Sequence, residues 1–301
     1  LIGELHDNTN PATFRSKSDT IQGKPLRRSM MLELKIENIS RQAEEALQKL
    51  CEFFRQQKRL MIAYSGGMDS SFMALVASRV VPDSYRCLLV SSPFMSTEEM
   101  RIARNTAARY SFRIVEIVAD PLQSAEVICN DPLRCYHCKK LIFSELLKAA
   151  QPGEIICEGS VTDDDDDYRP GKQAIKELAV ASPLQACGFS KAMIAEVLQA
   201  MNAGEIVRAG QSCLATRIAT GSPITTEKLR QIAEGEAILR EAGLGFCRLR
   251  HHGDLARIET RPEDRHRAMD TLVNFAERLK GLGFRHVCID IAGYRKGSMN
   301  A

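Results

Sequence analysis

The sequence predicts an α/β fold: a parallel, doubly wound sheet followed by a smaller α+β segment. Three observations predict it. From residue 59 onward, apolar strand-like runs alternate with amphipathic helical ones, the βαβα rhythm of a parallel sheet covered on both faces. The run "RLMIAYSGGMDSSFMALVASR", residues 59–79, places two glycines, hydroxyls and a carboxylate where a strand turns into a helix. After about residue 220 the rhythm changes to a helix, two short strand-like runs, a long helix and one more strand. The expected division is an arm over 1–30, a large domain over 31–220 and a small α+β domain over 221–301.

Residues 1–30 are polar and carry no signal-peptide core. Met30-Met31 stands just before a helical pattern, so the preceding stretch is expected outside the fold, as a cloning remnant or a disordered arm. Over 35–57, Ile36, Ile39, Leu47, Leu50 and Phe54 recur at helical spacing. "RLMIAYS" follows as a buried strand, then a helix over 70–79, "YRCLLVS" as a strand, and a helix over 96–110. Ser96 and Glu99 form a capping box at the start of that helix. "FRIVEIV" is a strand, "CKKLIFSELLKAA" a helix and "EIICEGS" a strand. In the smaller part a helix spans 226–242, "FCRLRHHG" and "LARIET" flank a Gly-Asp turn, a helix spans 262–280, and "HVCIDIAG" closes the pattern. There is no internal repeat, and the low-complexity tract is Asp163–Asp167.

A chain of 301 residues can build a sizeable core, and 44% hydrophobic with 26% charged residues is ordinary for a soluble globular protein. A net charge of +3 is too mild for bulk nucleic-acid binding. No apolar run approaches the ~18 residues needed to span a bilayer. The expectation is a cytoplasmic protein with neither a nucleic-acid nor a membrane partner. Ten cysteines without an export signal point to reduced thiols, metal binding or catalysis. Cys87, Cys157, Cys247 and Cys288 lie in apolar strand-like runs and are expected as buried filler.

Two segments carry chemistry. In Ser65-Gly66-Gly67-Met68-Asp69-Ser70, glycines let the backbone approach phosphate, and the new helix offers unpaired N–H donors. Ser65 and Ser70 add hydroxyls, and Asp69 makes sense beside phosphate if it holds Mg²⁺ on a pyrophosphate. The loop is neither of the commoner phosphate loops. Its bland alternative is a capped helix start with a glycine turn. The second segment is the pair Cys135 and Cys138 at the start of a helix, with Cys213 in "GQSCLATRI". A C-x-x-C is by itself coincidence or half of a zinc site, and no second C-x-x-C exists in the chain. His137, between the pair, is expected to point elsewhere. Three thiolates also suit an iron–sulfur cluster with one open iron, although four cysteines are usual. Arg217 follows Cys213 by four residues and is expected to face the same site. Gly159 ends a strand at the ligand-binding edge of the sheet, and most of the Asp163–Asp167 run reads as a solvated loop.

"SGGMDSS" resembles the PP-loop of the ATP pyrophosphatases, which cleave ATP between its α and β phosphates and activate a carboxyl or carbonyl oxygen as an adenylate. With "RCYHCKKLIF", "DYRPGKQAIKEL", "SPL", "CLATRI", "RHHGDLARIE" and "GYRKGSMN", the chain from about 40 to 300 resembles the LarE family. These are ATP-dependent sulfur transferases that make the thiocarboxylates of the nickel-pincer nucleotide cofactor.

The resemblance implies ATP and Mg²⁺ at Ser65, Gly66, Gly67, Asp69, Ser70, Gly159 and Asp164. A carboxylate of a pyridinium dicarboxylate mononucleotide is adenylylated, and sulfur displaces AMP. In one form of the family, the cysteine matching Cys213 gives up its own sulfur and becomes dehydroalanine. In another, cysteines matching Cys135, Cys138 and Cys213 hold a [4Fe-4S] cluster whose open iron carries sulfide. This chain has all three, which favours the cluster form and implies a sulfide source. Arg248, Glu259 and Arg295 match positions around the substrate phosphate, where an arginine fork suits phosphate oxygens. On alternation alone, one of Arg248 and Arg257 is expected to face solvent. Where related chains read Gly-Thr-Asn-Ala-Asp-Asp, this one reads Gly-Ser-Val-Thr-Asp-Asp, so Val161 replaces an amide. Asp163 and Asp164 stay candidates for Mg²⁺ or nucleotide contact, and Arg169 for a second anion contact. The family also implies a homo-oligomer. The competing readings are another PP-loop adenylase, such as a tRNA thiolase or amide-forming enzyme, and a non-catalytic nucleotide sensor.

Overall fold

Along β1 (Arg59–Tyr64), Leu60, Ile62 and Tyr64 enter one core and Met61 enters another. A strand apolar on both faces needs cover on both. The computed structural model describes residues 36–164, 170–208, 212–295 and 297–299. The expectations for residues 1–30 and for Arg169 lie outside these described residues.

The chain runs through α1 (Arg41–Gln56), β1, α2 (Met68–Val80), β2 (Tyr85–Ser91), α3 (Thr97–Arg109) and β3 (Ile114–Val118). It continues through α4 (Ala125–Ile128), α5 (Arg134–Lys148), β4 (Glu154–Cys157), α6 (Pro170–Glu177), α7 (Pro183–Ala186) and α8 (Lys191–Ala200). The four strands are parallel in the order β3-β2-β1-β4. Leu50 and Phe54 of α1, Phe72 of α2, Ala103 of α3 and Leu198 of α8 cover one face. Phe143 and Leu146 of α5 and Ile175 of α6 cover the other. The expected capping box is present: the Glu99 N–H donates to Ser96 Oγ at 3.1 Å, and the Ser96 N–H to Glu99 Oε2 at 2.7 Å. Helices α4 and α6 to α8 were not read from the sequence. β2 and β3 extend the sheet to one side of β1 and β4 lies on the other. The loops after β1 and β4 therefore meet where the strand order reverses, the usual ligand position of an open α/β sheet.

The smaller sheet forms from β5 (Cys247–His252), β6 (Leu255–Thr260) and β7 (His286–Ile289), with α9 (Thr226–Glu241) and α10 (Arg265–Lys280). β5 and β6 pair antiparallel around a turn in which Gly253 has φ +71°, and β6 pairs parallel with β7. Ile232, Leu239, Leu249, Ile258 and Leu279 form its core, which also takes in Phe94, Val127 and Cys138 from the preceding part of the chain. Cys87, Cys157 and Cys247 are buried as expected, but Cys288 is exposed. β7 is an edge strand whose Val287 and Ile289 face the core, so alternation turns Cys288 outward. Among the described residues, no helix is long and apolar enough to cross a membrane.

Candidate functional site

The loop after β1 is shaped by two close approaches. Gly66 has φ +74°, a left-handed conformation that glycine adopts freely. A Cβ there would stand 2.5 Å from the Ala103 Cβ and 2.6 Å from its Cα, so the loop lies directly on α3. At Gly159, beyond β4, a Cβ would meet the Asp69 Cβ at 3.2 Å and the Ser70 nitrogen at 3.4 Å. The Ser65 N–H donates to Ser70 Oγ at 3.2 Å, and that hydroxyl donates to the Gly67 carbonyl at 3.2 Å. Gly67, the N-cap of α2, contributes no side-chain acceptor, so the first amides of the helix stay open toward an anion.

Ser65, Gly67, Asp69, Ser70, Gly159 and Asp164 line one cavity of ≈ 380 Å³. Leu88, Met95 and Phe143 give it an apolar wall, suited to a base beside a charged tail. Gly66 shapes the loop from behind. Asp69 Oδ1 is buried and has no hydrogen-bond partner. Burial pushes this carboxyl up to about 6; Lys191 opposes the rise, while Asp164, Asp163 and Glu158 add to it. An orphaned carboxylate oxygen among other carboxylates fits a divalent cation, and Mg²⁺ typically needs one or two carboxylates besides phosphate oxygens. Asp164 Oδ2 accepts from the Val161 N–H at 3.3 Å, and Asp163 Oδ2 from the Lys191 N–H at 2.6 Å. Val161 itself is buried in the core.

Cys135 and Cys138 are the second and fifth residues of α5, the former exposed and the latter buried. Cys213 opens the short 3-10 turn Leu214–Arg217 and is half-buried. The thiols are near enough to act on one another. Burial pushes Cys138 up to about 12, with Cys213 and Cys135 adding to the rise. Burial also raises Cys213, against the opposing charge of Arg134, whose Nη1 lies 3.9 Å from the Cys213 Sγ. Among the described residues, no three His, Cys, Asp or Glu side chains are grouped so as to hold a metal ion. The three cysteines form a neighbourhood of soft donors suited to iron or sulfur chemistry, and not a closed ligand set. His137 packs edge-on against the Tyr136 ring.

Arg217 is 1% exposed and turned into the protein. It pairs with Glu236 at 2.8 Å and donates to the Cys213 carbonyl at 3.0 Å, so it braces the thiol's loop from within.

Arg248 and Glu259 face each other across β5 and β6. The Arg248 guanidinium sits 4.5 Å from the centre of the Phe246 ring, and burial together with Arg217 lowers its pKa. Glu259 is 0% exposed and receives Arg250 at 2.6 Å, Arg257 at 3.0 Å and the Ser298 hydroxyl at 2.7 Å. Neither Arg248 nor Arg257 is the solvent-facing strand residue that alternation predicted: Arg248 is buried and Arg257 also pairs with Asp290. Both faces of this sheet are occupied, one by apolar core and the other by the charge network. Arg295 is exposed on the turn after β7.

One loop joins these parts. The Leu214 N–H donates to the Phe94 carbonyl at 2.9 Å, next to Met95 of the cavity wall. Two residues further on, the Thr216 carbonyl accepts from Arg250 at 3.1 Å. Cys213 is thus held between the cavity and the arginine-bearing strand.

Sequence reasoning missed Arg134, Glu158 and Arg250. Glu158 lines the cavity and accepts from Ser182 Oγ at 2.5 Å and Ser160 Oγ at 2.9 Å. Its place between a strand end and Gly159 was the available signal. Arg250 lies two residues from Arg248 and so on the same strand face.

No family model matches the chain. It is 30% identical over 250 residues to the pyridinium-3,5-bisthiocarboxylic acid mononucleotide synthase of Lactiplantibacillus plantarum, covering 81% of this chain and 89% of that protein. It is 32% identical over 261 residues to an uncharacterized protein of Synechocystis, covering 85% and 97% of the two chains. An uncharacterized protein of Methanocaldococcus jannaschii is 30% identical over 242 residues, covering 80% and 92%.

Proposed function

Since the chain belongs to the LarE family, to which pyridinium-3,5-bisthiocarboxylic acid mononucleotide synthase also belongs, we propose that it is an ATP-dependent sulfur transferase acting on a pyridinium dicarboxylate mononucleotide. A carboxylate of the substrate attacks the α-phosphorus of ATP, pyrophosphate leaves, and sulfur then displaces AMP to give a thiocarboxylate. The observation that carries this reading is the placement of Cys213 on a loop bonded at one end to the cavity wall and at the other to Arg250.

In this mechanism the 65–70 loop and the first amides of α2 cradle the pyrophosphate, with Ser65 and Ser70 adding hydroxyl donors. Asp69 would hold Mg²⁺, which when bound neutralises the charge building on the leaving pyrophosphate. Gly159 lets the chain after β4 close onto Asp69 and Ser70, where a Cβ would meet the Asp69 Cβ at 3.2 Å, so that the two loops form one wall against which nucleotide can lie. Arg248 and Arg295 take the substrate phosphate, and Glu259 fixes the direction of Arg250 and Arg257 beneath it.

Cys135, Cys138 and Cys213 would hold a [4Fe-4S] cluster, which when bound supplies sulfur at the sulfide level. In the second reading Cys213 gives its own sulfur, and its half-buried thiol, on a loop bonded to the cavity wall, is placed for that. In both readings Arg217 and Glu236 keep the Cys213 loop in place.

AMP and pyrophosphate release, measured with ATP alone and with ATP plus pyridinium-3,5-dicarboxylic acid mononucleotide, tests the proposal. Release should need both compounds. Release driven by transfer RNA or ammonia would move the chain to another branch of adenylases, and no release with any acceptor would leave a nucleotide sensor.

A further inference from the structure

Arg134 has no role in the mechanism above, yet its guanidinium is aimed at the sulfur site. It is half-buried, opens α5 and makes no ion pair among the described residues. Its Nη1 lies 3.9 Å from the Cys213 Sγ, and its Nε donates to Asn130 Oδ1 at 3.2 Å. Asn130 is 2% exposed and has φ +55°. Its amide nitrogen donates to the Ala219 carbonyl at 2.9 Å and the Ser222 carbonyl at 3.0 Å, and its own carbonyl accepts the Gly221 N–H at 2.9 Å. One buried amide therefore locks the turn downstream of Cys213 and, with its remaining oxygen, fixes the direction of Arg134. A half-buried guanidinium that lies beside a thiol and makes no ion pair among the described residues is placed to meet an anion during the working cycle.

We propose that Arg134 is a catalytic residue of sulfur transfer: it receives the carbonyl oxygen of the acyl adenylate as sulfur attacks, and Asn130 is the positioning residue that aims it. The assignment rests on the adenylylation proposed above. Sulfide-level sulfur adds its lone pair to the acyl carbon, forming the C–S bond, and the C=O π pair moves onto oxygen beside Arg134. The pair returns as the C–O bond to phosphate breaks, and AMP leaves with its bonding electrons. For hydrosulfide the products are thiocarboxylate, AMP and one proton, with no net redox change. The guanidinium is strongest as a partner when the oxygen is fully negative, the condition for lowering a barrier instead of merely tightening substrate binding.

The test uses the full-length protein and separates the two half-reactions in single turnovers. In Arg134→Ala, pyrophosphate release should stay within about twofold of the parent while thiocarboxylate formation falls ~10²-fold, the usual loss for one oxyanion donor. Guanidinium ion in the buffer should restore part of the thiolation, and urea, its neutral analogue, should not. Asn130→Asp, which keeps an acceptor for Arg134, should lose less than Asn130→Ala. Four results would overturn the proposal: unchanged thiolation, equal loss of both half-reactions, lost iron or reactive thiol content in Arg134→Ala, or no rescue by guanidinium. If the parent chain itself releases no pyrophosphate with the mononucleotide, the proposed function fails first and independently.

Discussion

Replacing Asp69 by Asn should make the protein more stable and inactive at once. The Asp69 carboxyl rises from its ordinary 3.8 to about 6 because the cavity desolvates it and Asp164, Asp163 and Glu158 surround it. At about 1.4 kcal/mol per pH unit, holding it ionised in the fold costs ~3 kcal/mol. Because the folded form binds this proton more tightly than the unfolded chain, stability falls as pH rises between about 4 and 6, and the full cost applies above that window. Asn avoids it. Urea unfolding at pH 4 should scarcely separate Asp69→Asn from the parent, whereas at pH 7.5 the variant should be more stable by ~2–3 kcal/mol. MgATP should raise the melting temperature of the parent and not of the variant, since a ligand stabilises only the form it binds. AMP formation should drop ~10²-fold or more. A variant no more stable than the parent at pH 7.5 would refute the burial argument, and unimpaired AMP formation would remove Asp69 from the chemistry.

Other substitutions probe the remaining parts. Gly66→Ala forces an alanine into a left-handed backbone and its Cβ onto Ala103 at 2.5 Å. It should cost about 2–5 kcal/mol in thermal melts, whereas Gly67→Ala, with φ −71° and only Ser65 Oγ near at 3.3 Å, should stay within about 1 kcal/mol. Arg248→Ala and Arg295→Ala should each weaken pyridinium mononucleotide binding, by about 2–4 kcal/mol in calorimetry for a contact that the bound phosphate desolvates, while leaving ATP binding nearly intact; equal loss of both ligands would count against a phosphate role. For the sulfur source, intact mass after turnover decides. A cluster predicts more than one product per chain with added sulfide and an unchanged Cys213, while sacrifice predicts one turnover and a loss of roughly 34 Da, as for thiolate elimination.

What the sequence disclosed depended on how local its signal was. The 65–70 loop, the Ser96–Glu99 box and the β5–β6 turn are written in adjacent residues, and each was legible. Cys288 was misjudged because its run is apolar, while burial depends on β7 being an edge strand. The part of Arg217 was hidden because Glu236 lies on the following helix, and only packing brings it to the Cys213 loop. Arg134 and Asn130 gave still less away: the amide clamps carbonyls roughly ninety residues downstream, a pairing no spacing rule anticipates. The three cysteines announced a shared chemistry through residue type, but not whether they close on a metal.

The contact between Gly66 and Ala103 enlarges what counts as the proposed nucleotide site. Ala103 lies on the far side of the loop from the cavity, and its carbonyl also accepts the Tyr64 hydroxyl at 3.0 Å. Any side chain longer than a methyl at position 103 would lift the backbone of the loop off its seat, much as a side chain at position 66 would. The two positions therefore share a single allowance of volume. A substitution on α3, outside the cavity, would change the shape of the surface proposed to hold ATP, and a screen confined to cavity-lining residues would pass it by.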